Sequence, residues 1–503
     1  MDTWFLILAS LCLAIIITSL MFHKGDSKKL PPGPSFFSSH LLLLTNSLPE
    51  LQSTIRRLKS KYGSLVTISI VSHPSVFIGS HSLAHQVLIP KGTTSSDRPK
   101  FFPLHGISTA SYGPNWRAFR HNLTSTFLRG SHVKSYSWAR KWALQRLIGQ
   151  LQVQQEGVGT IKVIDHIHLA MFRLSVLMCF GEKLDDHRVN DIASVNGGLL
   201  SLVDSMMFNV IFVSPLLAKI LFRNKWEKLD KLRRVQKQLL IPLIKSRKEA
   251  ADTERNVAYI DTLLKLQLPE DDRKLTETEM VSMCGEFLLA ATEATSNALQ
   301  WIMANLVNHP SIQSKLYEEI IAVVGPPPPP GARGIELESV ITEENLKKIP
   351  YLKAVVLEGL RRHPPAHLVL PHRVTEQVEL QGYMIPKGAT INFMVAEMGR
   401  DPKVWEEPME FKPERFLVND GVFDIGGSKG IKMMPFGAGR RICPGADLAL
   451  LHLEYFVANL IWYFHWSVAD GYRVDLTEKV KFTVVMKNPL QAKISSRTKM
   501  ITT

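Results

Sequence analysis

Toward the C-terminus the chain reads MMPFGAGRRICPGADLALLHLEYF, with a single cysteine, Cys443, set among glycines and followed by an apolar stretch. One thiol cannot build a tetrahedral zinc site or an iron–sulfur cluster, which need several cysteines or histidines. Two kinds of chemistry remain. A thiolate can be the single protein ligand of a haem iron, the porphyrin nitrogens filling four other positions. It can also be a nucleophile, which needs a histidine that only the fold can bring. The surroundings suit the first. Gly437, Gly439 and Gly445 let backbone approach a flat macrocycle, Arg441 is placed to meet an anionic haem propionate, and Phe436 can shield the sulfur. The helix expected after Cys443 offers its N-terminal partial charge and free N–H groups to a thiolate. GAGRRI begins like a dinucleotide fingerprint, but Ile442 stands where the third glycine belongs and no strand signal precedes it.

Two further pairs sit at helical spacing. Glu358 and Arg361 are three apart, and Trp116 and Arg120 four apart, so each pair shares a helix face. Taken alone, the first is an ordinary surface ion pair and the second a cationic amphipathic face. The elements that must carry these residues are mostly helical. Glu279 to Val307 is apolar on nearly every face and reads as a helix through the core. Leu65 to Ser80 alternates and is β-branched, which predicts a hairpin around His73-Pro74. Short strands and Pro-rich coil follow from Val369 to Phe416, helix returns after Cys443, and strand-like segments including Lys481 to Met486 close the chain. The fold class is mainly α with a smaller β portion. Pro326 to Pro330 is a polyproline loop.

Phe436-x-x-Gly439-x-Arg441-x-Cys443-x-Gly445 resembles, position for position, the haem-binding signature of the cytochrome P-450 superfamily. Further matches follow in order and span nearly the whole chain. The resemblance implies that fold, with haem b between the long central helix and the cysteine loop, and Cys443 as the metal ligand. Glu358 and Arg361 match the ExxR pair of the superfamily, with Arg415 in FKPERF as third member of a structural triad. Trp116 and Arg120 match residues that meet the haem propionates, and His372 stands where relatives bring another such partner. Phe436, Gly439, Arg441 and Gly445 complete the cofactor site.

Over the oxygen-binding face, relatives carry (A/G)-G-x-(D/E)-T-(T/S), while this chain reads Ala290-Ala291-Thr292-Glu293-Ala294-Thr295-Ser296. Glu293 keeps the carboxylate; Ala294 replaces the hydroxyl that helps deliver protons, and Thr295 lies about 100° further round the helix. Three outcomes follow for the catalytic stretch Glu293, Ala294 and Thr295. A substrate hydroxyl completes the site; or Thr295 or Ser296 relays protons with Glu293 and water; or the enzyme performs oxidative coupling, rearrangement or dehydration instead. The first, a monooxygenase, is the leading expectation. A haem-binding protein without catalysis and a cysteine-nucleophile hydrolase are the rivals.

The N-terminus frames the setting. Thr3 to Phe22 is uncharged and matches the roughly 20 residues a helix needs to cross a bilayer. The chain starts Met1-Asp2 without a basic region or a clean cleavage site, which favours an anchor over a signal peptide. His23, Lys24, Lys28 and Lys29 follow, placing the rest in the cytosol. Residues 1–22 are therefore expected to be a transmembrane anchor, 23–34 a basic, Pro-rich hinge, and 35–503 the catalytic domain. Four scattered cysteines, Cys12, Cys179, Cys284 and Cys443, argue against a disulfide framework. Asn122-Leu123-Thr124 is a glycosylation triplet that a cytosolic face would leave unused. The net charge of +14 is spread along the chain and not clustered with aromatics, which argues against nucleic acid and for a membrane surface or an acidic partner.

The chain resembles land-plant microsomal members of the superfamily. That implies the endoplasmic reticulum membrane, single-pass, and electrons from an NADPH-dependent cytochrome P-450 reductase, with or without cytochrome b5. NADPH then acts only through that partner. The substrate would be a hydrophobic or aromatic small molecule, a secondary metabolite or lipid. It would meet Phe101–Thr109, Phe287–Ala294, Ala366–Leu370 and the tip near Thr483 to Val485.

Overall fold

The computed structural model describes residues 30–35, 38–39, 48–69, 74–99, 106–212, 222–249, 256–327, 340–417 and 423–497. The expected anchor, most of the hinge and most of the polyproline run lie outside these. The architecture is helical with small peripheral sheets, as the sequence predicts. Its axis is one helix, Glu277–Asn308. Others named below are α1 Leu48–Tyr62, α2 His81–Leu88, α3 Pro114–His121, α4 Ser137–Val158, α5 Val163–Phe180, α6 Asp186–Phe212 and α7 Arg223–Glu249. The axial helix is α8, and α9 Pro350–Arg362 and α10 Ala446–Tyr463 complete the set.

The start and stop of α8 are written locally. Thr276 Oγ1 accepts from the Glu279 N–H at 3.3 Å, and the Glu279 carboxylate accepts from the Thr276 N–H at 2.8 Å, a reciprocal cap. Arg273 clamps that carboxylate with two bonds of 2.8 Å, which holds it ionised, down at about 2. His309 ends the helix because it precedes Pro310. Along its length α8 is buried on almost every side. Helix α5 is apolar enough to cross a bilayer by composition, but it packs along α8 inside the core.

Helices α9 and α10 close the opposite side. Gly359 of α9 abuts Ile302 of α8: a Cβ at Gly359 would overlap Ile302 Cγ1. The small residue sets how closely the two helices approach. Strands β1 Leu65–Ser69 and β2 Pro74–Ile78 form the expected hairpin arms. They share a four-stranded sheet, in the order β1-β2-β5-β4, with β4 His372–Arg373 and β5 Thr390–Phe393, the β2–β5 pair being parallel. Strand β3, Ile161–Lys162, joins β6 Phe464–Val468 and β9 Gln491–Ser496. Strands β7 Glu478–Val480 and β8 Val484–Met486 form a hairpin, so Lys481 to Thr483 make its bend and are not part of a strand as the sequence suggested. Asn122 is buried and its amide donates to Thr262 O at 3.1 Å, so the glycosylation triplet is out of reach.

Gly359→Ala is expected to destabilise. Overpacking against Ile302 costs about 1–3 kcal/mol, and the gain from replacing a helical glycine is about 0.5–1 kcal/mol. Urea unfolding should show a net loss, and Ile302→Ala should cost less in the Gly359→Ala chain than in the wild type.

Candidate active site

Cys443 stands on a turn held by backbone bonds. Its N–H donates to Phe436 O at 2.8 Å, and the Ile442 N–H donates to Gly439 O at 3.1 Å. Gly439 has φ +71° and sits against the Leu88 carbonyl, where any Cβ would clash, so glycine is required there on two counts. Nothing lies within 4 Å of a Cβ built at Gly445, which leaves open space beside the sulfur. Helix α10 begins at Ala446, as expected. Its N-terminus does not decide the thiol's charge. Burial pushes the Cys443 thiol up, against the opposing pull of the Gly445 N–H and the Arg120 charge. A thiolate at this position needs a cation at the sulfur, and a haem iron supplies one.

Cys443 opens into a cavity of about 1480 Å³, larger than the roughly 300–1,000 Å³ of a typical ligand pocket. Three guanidinium groups line one end: Arg98, Arg120 and Arg441. Arg441 donates to the carbonyls of Ser96, Ile107 and Ala110 at 2.8, 3.0 and 2.7 Å. Arg98 donates to Ser108, Leu370 and Pro371 at 2.9, 2.8 and 2.9 Å. Arg120 donates to Ile442 O. A guanidinium has five N–H donors, so each keeps at least two to offer. Burial lowers all three, and the Arg441 charge presses further on Arg98, which is held at about 9. Crowded, partly dehydrated cations with spare donors fit an anion-bearing group. The thiol, the open space at Gly445 and this rim together fit haem with its two propionates.

Two expected members of the rim behave differently. Trp116 is buried, and its only N–H is spent on Ile107 O at 3.2 Å. It therefore serves the rim through its ring, which lies under the Arg441 guanidinium at 4.3 Å. His372 lines the cavity, but its Nδ1 faces Ser95 O at 2.7 Å and so must be the protonated nitrogen. Burial, with Arg98 and Arg441 nearby, holds the ring neutral, with a pKa of about 3. A neutral ring with Nδ1–H committed has no donor left for a propionate; Arg98, which the sequence did not single out, lies nearby with donors to spare.

Helix α8 forms the facing wall. Ala290, Ala291 and Ala294 open onto the cavity. The Glu293 carboxylate meets His168 Nε2 of α5 at 2.8 Å. Thr295 touches the cavity but is 5% exposed, and Ser296 is fully buried with its hydroxyl unpartnered among the described residues. Of the expected substrate segments, Gly106 to Thr109, the α8 stretch, Ala366 to Leu370 and Thr483 line the cavity. Val484 and Val485 do not, and residues 101–105 lie outside the described ones. Glu286 of α8 accepts from the N–H groups of Ile107 and Ser108, each at 2.8 Å, and pins that loop to the wall.

The pair Glu358 and Arg361 is no surface ion pair. Both side chains are fully buried, joined by bonds of 2.7 and 2.8 Å. Arg361 also donates to Gly399, Pro408 and Glu410 carbonyls, and Arg415 Nε lies 3.4 Å from Glu358. The triad ties α9 to the coil beneath the cysteine loop. Glu358→Ala would strand buried positive charge, and stability should fall by about 3–5 kcal/mol in denaturant unfolding.

His372 and His452 are both held at about 3 by burial, against about 6.5 when exposed. The unfolded chain therefore takes up these protons first. The stability they contribute is complete above about 6.5 and is lost as pH falls toward 3, by about 1.4 kcal/mol per pH unit for each ring. His452→Phe should flatten the fall in urea midpoint between pH 6 and 4 by one proton's share.

Comparison with known proteins agrees with this geometry. A cytochrome P450 family profile matches residues 30–495. Cytochrome P450 89A9 of Arabidopsis thaliana is 43% identical over 98% of this chain and 99% of its own length. Beta-amyrin 24-hydroxylase of Glycine max is 28% identical over 96% of this chain and 95% of its own. Flavonoid 3'-monooxygenase of Arabidopsis thaliana is 26% identical over 96% of each. A zebra fish cytochrome P450 solved with progesterone shares the fold, with a TM-score of 0.74 at 22% identity, covering 90% of this chain and 100% of its own. The chain therefore belongs to the cytochrome P450 family of haem-thiolate oxidoreductases.

Proposed function

We propose that the protein inserts one oxygen atom from O2 into a hydrophobic or aromatic small molecule, using electrons passed from NADPH by a reductase. The carrying observation is the shared cavity: the Cys443 thiol and the α8 wall at Glu293 and Ala294 face one largely apolar space. Bound haem would supply dioxygen activation, with Cys443 as its anionic ligand. The relatives named beta-amyrin 24-hydroxylase and flavonoid 3'-monooxygenase support oxidation of a plant secondary metabolite.

Ala294 leaves a methyl group where a hydroxyl would hold water beside the reacting centre. Thr295 reaches the cavity edge but is almost wholly buried, and Ser296 is buried altogether, so a hydroxyl carried by the substrate is the source this reading assigns. Glu293 keeps a carboxylate at the wall, and His168 bonds to it from the side of α5. The apolar lining excludes bulk water and selects a hydrophobic skeleton.

Partner and membrane follow the same reading. Arg117, Lys432 and Arg440 are exposed, and Arg117 and Arg440 both lie over the Tyr112 ring. They form a basic face suited to an acidic reductase surface. Residues 1–22 anchor the chain in the endoplasmic reticulum membrane, with the catalytic domain cytosolic.

The test is product analysis of the purified full chain with plant metabolites, with and without reductase and NADPH. The reduced, carbon monoxide-treated protein should show the band of thiolate-ligated haem, and Cys443→Ala should lose it. A wild-type band typical of histidine ligation, or products that form equally without reductase, would overturn the reading. Ala294→Thr should broaden the accepted substrates while barely changing the share of electrons that reach the native product. A large rise in that share would show that the wild-type protein delivers protons poorly.

A further inference from the structure

Part of the cavity is lined by α7. Most of the cavity lining is apolar, yet this part carries Arg233, Arg234 and Lys237 from α7 and Lys481 from the β7–β8 bend. Arg233 is the unusual one. It shares a helix face with Leu229 and Leu240, which are buried. Its own charge is penalised by partial burial, with Asp230 the one opposing influence. Asp230 lines the same part of the cavity but is exposed, and Arg233 makes no hydrogen bond or ion pair among the described residues. Of the other acids nearby, Glu286 accepts from two loop N–H groups, and Asp204 lies against Lys481 and the Phe482 N–H, with its Oδ1 unpartnered among the described residues.

The position of Arg233 relative to the reacting wall follows from helix register. Lys245 of α7 lies 4.0 Å from Glu277 of α8. Further back along α7, Gln236 presses on Gly285 of α8, its Nε2 falling 2.5 Å from a Cβ built there. The two contacts run in opposite chain directions, so α7 and α8 are antiparallel here. One turn further along, Arg233 comes over the turn of α8 holding Leu289 and Ala290, which also line the cavity. From there to Ala294 is about 7 Å of helix rise.

We infer that the substrate carries a carboxylate, and that Arg233 binds it from α7, with Lys237 and Lys481 adding positive charge around it. This rests on reading the cavity as an oxygenation pocket. An arginine stays charged at any physiological pH. Placed in an apolar space without a partner, it is disfavoured until an anion arrives. Its planar fork matches a carboxylate with two parallel bonds, and such pairs are the stronger class of hydrogen bond. An anion fixed at Arg233 would also set which carbon meets the reacting wall and is oxidised. An acidic lipid headgroup at the membrane would engage the exposed Lys228 and Lys231 of α7, and need not reach Arg233.

The experiment uses the purified, haem-loaded full chain and three acids paired with their methyl esters: dodecanoic acid, ferulic acid and oleanolic acid. Dissociation constants are read by calorimetry. On at least one skeleton the acid should bind about tenfold or more tightly than its ester, and added NaCl should weaken the acid alone. Arg233→Gln should bring the acid down to the ester's affinity and leave the ester within about twofold. Lys481→Gln, on a hairpin bend where folding is less at stake, should weaken the acid by a smaller factor. Equal binding of acid and ester on every skeleton overturns the inference. So does equal loss of both in Arg233→Gln, or unchanged acid binding in that variant. The carbon monoxide band separates the two readings. Its absence in the wild type sinks the oxygenase assignment, and its presence without acid preference sinks only the carboxylate site.

Discussion

A sulfur that must be anionic sits where burial favours the neutral thiol. Everything around Cys443 answers to that conflict. The turn that presents it is fixed by the Phe436 carbonyl and by Gly439 against Leu88. Arg120 brings positive charge near it and anchors on the neighbouring Ile442 carbonyl. None of these outweighs burial, and the haem iron that the family implies would bring the missing positive charge. The same logic applies at the rim, where guanidinium groups are stripped of water and kept apart by backbone carbonyls. Anionic and cationic sites of the protein are each incomplete alone, and one cofactor with a central cation and peripheral anions completes both.

The scaffold beneath is built to withstand such charge. The Glu358–Arg361 pair is buried beyond the reach of water, and every donor of Arg361 that the structure places finds a carboxylate or a carbonyl. Arg361 also stacks over Trp405 at 5.3 Å. A buried ion pair is weak evidence for stability in itself. Here its value is positional, because it binds α9 to the strandless segment from Gly399 to Arg415.

What could be read from the sequence was whatever is encoded in adjacent residues. The cysteine loop, the cap-to-proline span of α8 and the hairpin arms at Leu65 and Pro74 are local patterns, and each appears where its pattern lies. The anchor and most of the hinge fall outside the described residues. Arg98, Glu286 and His168 could not be read in advance. Each draws its role from a partner far along the chain, and an arginine in SSDRPK carries no mark of the cavity it will enter. Trp116 and His372 show the reverse case. Their place at the cavity was legible, but their donors were not, because those went to the carbonyls of Ile107 and Ser95. A sequence can show that a histidine arrives; which nitrogen keeps its proton depends on the backbone it meets.

Ile107 is bonded from both sides. Its N–H is held by Glu286 of α8, and its carbonyl accepts from Trp116 and from Arg441. One peptide thus joins the helix that meets the substrate to the guanidinium at the cofactor's edge. If a bulky guest displaces α8, either a link in this chain breaks or Arg441 travels with the helix. Filling one end of the chamber would then be felt at the other as mechanical strain, before any electron arrives.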